Sequence, residues 1–132
     1  KIVGLDFNKP RDINKMQDNI DCISCKDAYS FSVFNFIKDK YGYFDIIIDD
    51  GSHKIDDMRF VIDVYSKLLE NKGFLIIEDI GAYREILRKP KIDIIKHITK
   101  NISKSLLKNT LYVDVSYIND IYDSSLFIIN LG

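Results

Sequence analysis

Asp49-Asp50-Gly51-Ser52-His53 gathers two carboxylates, a hydroxyl and an imidazole in one short turn, and Glu78-Asp79 adds two more carboxylates 25 residues after His53. Carboxylates brought this close repel one another unless a cation sits among them. A few carboxylate oxygens completed by waters suit magnesium, a hard ion that keeps part of its hydration shell. Histidine, with an unperturbed pKa of about 6.5, suits proton abstraction at neutral pH. A base beside a divalent cation is the equipment for activating a hydroxyl, which is otherwise a poor nucleophile. A plainer role stays open for each residue. Asp49 and Asp50 can simply end a strand, Ser52 can cap the next helix, and His53 can face solvent at a helix start.

The surrounding elements decide whether those side chains meet. Phe44-Asp45-Ile46-Ile47-Ile48 is a short β-branched run, expected as a parallel strand buried on both faces. Met58, Val61, Ile62, Tyr65, Leu68 and Leu69 follow at helical spacing and predict one buried helix face, with Asn71-Lys72-Gly73 as the stop. Phe74-Leu75-Ile76-Ile77 is the next strand, ending in Glu78-Asp79. A β-α-β unit of this length predicts parallel strands, so both acidic turns fall at the same sheet edge. In open α/β sheets that carboxyl edge is where ligands bind.

Before this unit, Lys1–Asp6 and Ile20–Ser24 read as strands and Tyr29–Lys40 as a helix with Val33, Phe34 and Ile37 inward. After it, a loop carries Gly81, Tyr83 and Pro90. A helix over Ile92–Leu107 then buries Ile92, Ile95, Ile98, Ile102 and Leu106, and strands are expected at Thr110–Ile118 and Leu126–Asn130. Alternation closed by two adjacent strands predicts an α/β fold, a parallel sheet with a C-terminal antiparallel hairpin, over a single domain of residues 1–132. Strands running into Asp6, Asp27 and Asp49-Asp50 form the pattern of a nucleotide-type ligand lying across strand ends.

Composition narrows the class. At 132 residues, 46% apolar and 30% charged, the chain matches an ordinary soluble globular domain. A net charge of −1 argues against bulk nucleic-acid binding, and no apolar run approaches the roughly 20 residues of a membrane span. Cys22 and Cys25 are a lone C-x-x-C in or beside a strand, without the second pair a structural zinc would need. Two reduced, structural cysteines and a cytoplasmic setting are expected. Lys96, Lys100, Lys104 and Lys108 make a basic stripe expected to be a solvated helix face, and His97 is expected to be exposed. Tyr83 is a candidate wall for an acceptor pocket.

The Asp-Asp-Gly-Ser-His turn of residues 49–53 and the Ile77-Glu78-Asp79-Ile80 strand end resemble the class I S-adenosylmethionine-dependent methyltransferases, in particular the macrolide-sugar O-methyltransferase and cephalosporin-hydroxylase-like group. The resemblance implies a Rossmann-like sheet, S-adenosylmethionine (SAM) as cofactor, and a magnesium ion held by Asp50, Glu78 and Asp79, with His53 as general base. It implies Asp6 at the ribose hydroxyls and Asp27 near the adenine amine, with Ala28, which stands where glutamine is common, and Asp49 completing the cofactor contacts. The implied reaction is O-methylation of a hydroxyl on a sugar or other small natural product. A homo-oligomer stays open.

The family's first strand and glycine-rich loop precede the strand that begins here at Lys1, and no G-x-G-x-G occurs in these residues. The expectation is therefore a fragment of a longer domain, inactive alone, with Ile2–Leu5 and Ile46–Ile48 parallel but not paired. The alternative is a non-catalytic remnant or interaction domain that keeps the sheet. A dehydrogenase-type dinucleotide domain would need a glycine-rich turn.

Overall fold

The computed structural model describes residues 1–8, 18–80, 91–102, 108–114 and 125–130. The described chain divides into two compact units, Lys1–Tyr41 and Gly42–Gly132. The first holds β1 (Ile2–Asp6), β2 (Ile20–Ser24) and α1 (Phe31–Tyr41). β1 and β2 pair in parallel without irregularity, Ile2 opposite Ile20 through Asp6 opposite Ser24. Cys25 N–H donates to the Asp6 carbonyl at 2.9 Å, extending the ladder past the end of β2. Phe34 and Ile37 are the buried residues of α1, as their spacing predicts, and Val33 is half-buried.

The second unit is a four-stranded sheet in the order β3-β4-β6-β5. Its elements are β3 (Phe44–Asp49), α2 (Ile55–Asp63), a 3-10 turn (Tyr65–Leu68), β4 (Leu69–Glu78), α3 (Lys91–Ile98), β5 (Thr110–Asp114) and β6 (Ser125–Asn130). β3 and β4 are parallel, whereas β6 runs antiparallel to both β4 and β5, giving the expected C-terminal hairpin. Ladder bonds join β1 to β2 in the first unit and β3 to β4 in the second.

Side-chain alternation sends Leu75 and Ile77 of β4 and Phe127 and Ile129 of β6 to one face, where they are buried. Met58, Val61 and Ile62 of α2, Leu68 of the 3-10 turn, and Ile94 and Ile98 of α3 are the helical share of the core. The other face differs from expectation. Ile46 and Ile48 are 55% and 57% exposed, so β3 is not buried on both faces. A β-branched run reports strand propensity, and it does not report how many faces are covered.

The helix after β3 is also shorter than its apolar spacing predicts. α2 ends at Asp63; Val64, its C-cap, stays in the right-handed region at φ −114° and ψ −58°, and the 3-10 turn delivers the chain into extended backbone at Leu69, φ −78° and ψ 137°. All six predicted positions from Met58 to Leu69 are nevertheless buried, because the break keeps the inward side inward. Phe60 and Tyr65 stack edge to face across it at 5.9 Å. Asn71-Lys72-Gly73 is not a helix stop but a bulge inside β4. Phe44 faces Leu69 while Ile46 faces Phe74, so β4 bows outward between them. Lys72 takes a left-handed φ of 70° there. A Cβ on Gly73 would lie 2.9 Å from the Glu70 carbonyl oxygen and 3.0 Å from that of Asp45, closer than an ordinary side chain tolerates.

α3 ends at Ile98 rather than continuing to Leu107, of which 103–107 lie outside the described residues. The Thr99 hydroxyl donates to the Ile95 carbonyl at 2.7 Å, and Ile102 N–H bonds three residues back to Thr99, tightening the end. Ile95 and Ile98 are buried, together with Ile94, which the predicted face omitted. Thr110–Ile118 is strand through Asp114, its remainder lying outside the described residues. Lys96, His97, Lys100 and Lys108 are exposed as expected. No described helix is long and apolar enough to cross a membrane. Cys22 and Cys25 are free thiols, and burial followed by the charges of Asp27 and Asp6 pushes the Cys25 thiol above its usual range.

Candidate metal and acid-base centre

β3 and β4 end together because they are parallel and in register, Asp49 facing Ile77. Neighbouring strands lie about 4.8 Å apart, so side chains leaving both ends share one small volume. Asp50, His53 and Asp79 do so: each offers a ligand atom within 4.8 Å of the others. His53 Nε2 and Asp79 Oδ2 are 4.0 Å apart, both side chains partly buried, while Asp50 is exposed.

The backbone does part of the aiming. His53 and Asp79, on different loops, both adopt left-handed backbone, with φ of 55° and 53°. Such conformations are uncommon outside glycine, with His and Asp among the residues that tolerate them best. At Asp79 the left-handed turn breaks the alternation of β4. Without it Glu78 and Asp79 would point to opposite faces.

Glu78 stands outside the trio of converging atoms, yet it feels them. Its carboxyl is raised above the usual range, first by burial, then by the negative charges of Asp50 and Asp79, with His53 acting in opposition. Asp49 is the last residue of β3 and half-buried.

Ser52 is not the cap of α2. That position is Lys54, whose side chain makes no capping bond. Ser52 instead bridges the turn: its hydroxyl donates to Asp57 Oδ2 and accepts Lys54 N–H at 3.3 Å. Asp56 and Asp57 lie in the first turn of α2, where carboxylates favour the positive end of the helix dipole. Asp57 escapes a reading from the sequence alone. The available signal was an acidic pair opening a helix whose cap is a lysine.

Asp6 and Asp27, in the other unit, each fold back on their own backbone. Asp6 Oδ1 accepts Asn8 N–H at 2.8 Å, and Asp27 Oδ1 accepts Tyr29 N–H at 2.9 Å. Both are exposed at the carboxyl ends of β1 and β2, one in the strand and one three residues past it, and Ala28 follows half-buried. Tyr83 lies outside the described residues.

No protein-family model matches the chain. No curated protein matches it either. Solved structures do. MycE, a methyltransferase of the mycinamycin biosynthetic pathway crystallised with Mg, SAH and mycinamycin VI, superposes with a TM-score of 0.67 at 22% identity, covering 98% of this chain and 36% of its own. A further MycE crystal, with Mg and SAH, gives 0.65 at 23% over the same shares. The N-methyltransferase NodS from Bradyrhizobium japonicum WM9, in complex with SAH, gives 0.56 at 18%, covering 97% of this chain and 65% of its own. The chain thus spans about a third of the length of MycE. Its strand order, its terminal hairpin and these superpositions agree on one conclusion: the chain has the Rossmann-like α/β fold of the SAM-dependent methyltransferases.

Proposed function

We propose that this chain carries the acid-base half of a SAM-dependent O-methyltransferase acting on a hydroxyl of a sugar or other small natural product. The observation that carries the reading is the convergence of Asp50, His53 and Asp79 within 4.8 Å at the ends of two parallel strands. Two carboxylates and an imidazole, with a third carboxyl raised by burial and then by its acidic neighbours, are a donor set that lacks a positive charge, and a divalent cation would supply it. Asp50 and Asp79 would hold the ion, with Glu78 completing the carboxylates. When bound, magnesium supplies Lewis-acid polarisation of the acceptor oxygen.

His53 takes the proton. Its Nε2 lies 4.0 Å from Asp79 Oδ2, so the ring is held at the acidic edge when the acceptor hydroxyl gives up its hydrogen. Asp6 and Asp27 serve the cofactor, Asp6 accepting from the ribose hydroxyls and Asp27, with Ala28 next to it in the chain, from the adenine amine; Asp49 is assigned to the cofactor as well. Each of Asp6 and Asp27 has one oxygen turned to its own backbone, which fixes the carboxylate while its other oxygen can accept from a ligand. SAM supplies the electrophilic methyl group. SAH and Mg in the MycE crystals support both assignments. Similarity to an N-methyltransferase as well means that the preference for a hydroxyl rests on the acidic centre rather than on the fold.

The test is transfer of a labelled methyl group from SAM to a panel of glycosides, with magnesium or with EDTA, by a longer chain that joins these residues to a glycine-rich cofactor loop. Transfer that depends on magnesium and is lost in Asp50→Asn is expected. Transfer that survives EDTA and Asp50→Asn unchanged would return Asp49 and Asp50 to the role of strand-ending residues.

A further inference from the structure

We infer that Ser52 and Asp57 form a latch that positions His53, an inference resting on the acid-base centre proposed above. The Ser52 hydroxyl is committed on both sides. Its oxygen accepts the N–H of Lys54, two residues on, and its hydrogen goes to Asp57 Oδ2. The first bond closes a serine turn whose central residue is His53. The second ties that turn to a carboxylate in the first turn of α2, making it a charge-assisted bond. Met58 N–H donates to the Lys54 carbonyl at 2.9 Å, so Lys54 belongs to α2 through its carbonyl and to the serine turn through its N–H. His53 is therefore held from both sides at a φ of 55°, a conformation an L-residue rarely keeps unaided. That conformation sets the imidazole 4.0 Å from Asp79. The geometry assigns Ser52 and Asp57 a part in the centre without contact with its ligands: they fix the angle of its base.

The chain has two histidines, His53 and His97, so proton NMR of the imidazoles separates the centre from an exposed internal reference. The experiment follows both Cε1–H resonances at one fixed pH, together with Mn²⁺ affinity by electron paramagnetic resonance, in the parent, Ser52→Ala, Ser52→Thr, Asp57→Asn and Asp50→Asn. Ser52→Ala should shift and broaden the His53 resonance and leave both that of His97 and the Mn²⁺ affinity in place, because the latch acts on the base and not on the carboxylates that hold the ion. Ser52→Thr, which keeps the hydroxyl, should restore the parent His53 resonance. Asp57→Asn should act in the same direction but less, because its amide oxygen still accepts the bond without the charge. If Ser52→Ala fails to fold, Asp57→Asn alone decides the question. A His53 resonance unmoved in Ser52→Ala and Asp57→Asn would overturn the latch. The separate failure of the metal proposal would show as equal Mn²⁺ binding by the parent and Asp50→Asn, and the latch would then stand or fall on the His53 resonance alone.

Discussion

The two units each end parallel strands in carboxylates, and they treat them in opposite ways. At the ends of β1 and β2, Asp6 and Asp27 are exposed and each accepts a backbone N–H two residues on, so one oxygen of each acid is engaged within its own turn. At the ends of β3 and β4, Asp50, His53 and Asp79 converge, two of the three on left-handed backbone, and the Glu78 carboxyl is raised by burial and by its acidic neighbours. A strand-end aspartate is commonplace as a turn former. Several that crowd one another and hold an uncommon backbone conformation to do so are better explained by a ligand than by folding.

The largest effect should come from breaking the crowded edge. Asp50→Asn removes a charged ligand atom while keeping shape, and Mn²⁺ affinity should fall by at least about a hundredfold, beyond the range of outer-shell residues. Asp6→Asn and Asp27→Asn, read in the same titration, should leave Mn²⁺ affinity unchanged. Isothermal titration with SAH should show the complement. Each of those two changes removes a charge-assisted hydrogen bond of about 1.5–3 kcal/mol, roughly a tenfold to hundredfold loss, and Asp50→Asn should hardly alter it. Equal responses of both edges to both ligands would end the comparison.

A second contrast lies in the ladders that bring the acids to their places. β1 and β2 pair without interruption, whereas β4 must bow at Asn71-Lys72-Gly73 before it runs level with β3. Gly73→Ala sets a methyl group against two backbone oxygens at 2.9 and 3.0 Å, neither of which can rotate away. Overpacking of this kind costs about 1–3 kcal/mol, read as a lower urea midpoint with unchanged slope. Because the bulge sets the register that ends at Glu78, the same variant should also weaken Mn²⁺ binding. The matching change in the regular ladder, Gly4→Ala, would bring a Cβ no closer than 3.6 Å to Cys22 Sγ, an ordinary contact, and should cost much less.

These contrasts also mark what the sequence made legible. Strand ends were readable because a β-branched run that stops at an acid is both a strand and a boundary, and β2 occupies Ile20–Ser24 as expected. That Asp50 and Asp79 lie at one sheet edge followed from parallel pairing, whereas the left-handed backbone at His53 and Asp79 did not. Geometry that depends on a single residue was not readable. Apolar spacing runs on from Met58 to Leu69 through helix, 3-10 turn and strand, since every one of those positions stays buried, and only the backbone reveals where the helix tightens and where it turns extended, at Leu69. Ser52 carries the right side chain for a cap and lies two residues too early to be one. The second face of β3 was misjudged because isoleucine suits a covered and an open β face alike.

The smallest expected effect lies at the other end of the first unit, away from its acids. Asp21, the second residue of β2, accepts a bond from the Tyr41 hydroxyl at 2.8 Å and pairs with Lys1 Nζ at 3.1 Å. The Tyr41 bond, then Lys1, holds the Asp21 carboxyl below the usual carboxylate range. A carboxyl depressed by folding stabilises the folded state above its unfolded value, about pH 3.9, and loses that contribution as pH falls through the lower folded value. Asp21 is solvent-accessible, so screening keeps the effect small. Tyr41→Phe removes the hydroxyl but keeps the ring beneath Lys1 and Lys40. Its urea midpoint should lie slightly below the parent's at about pH 7, and the two curves should draw together as pH falls below about 3.9. Curves that stay parallel across that range would show that Tyr41 acts through packing and not through the Asp21 charge.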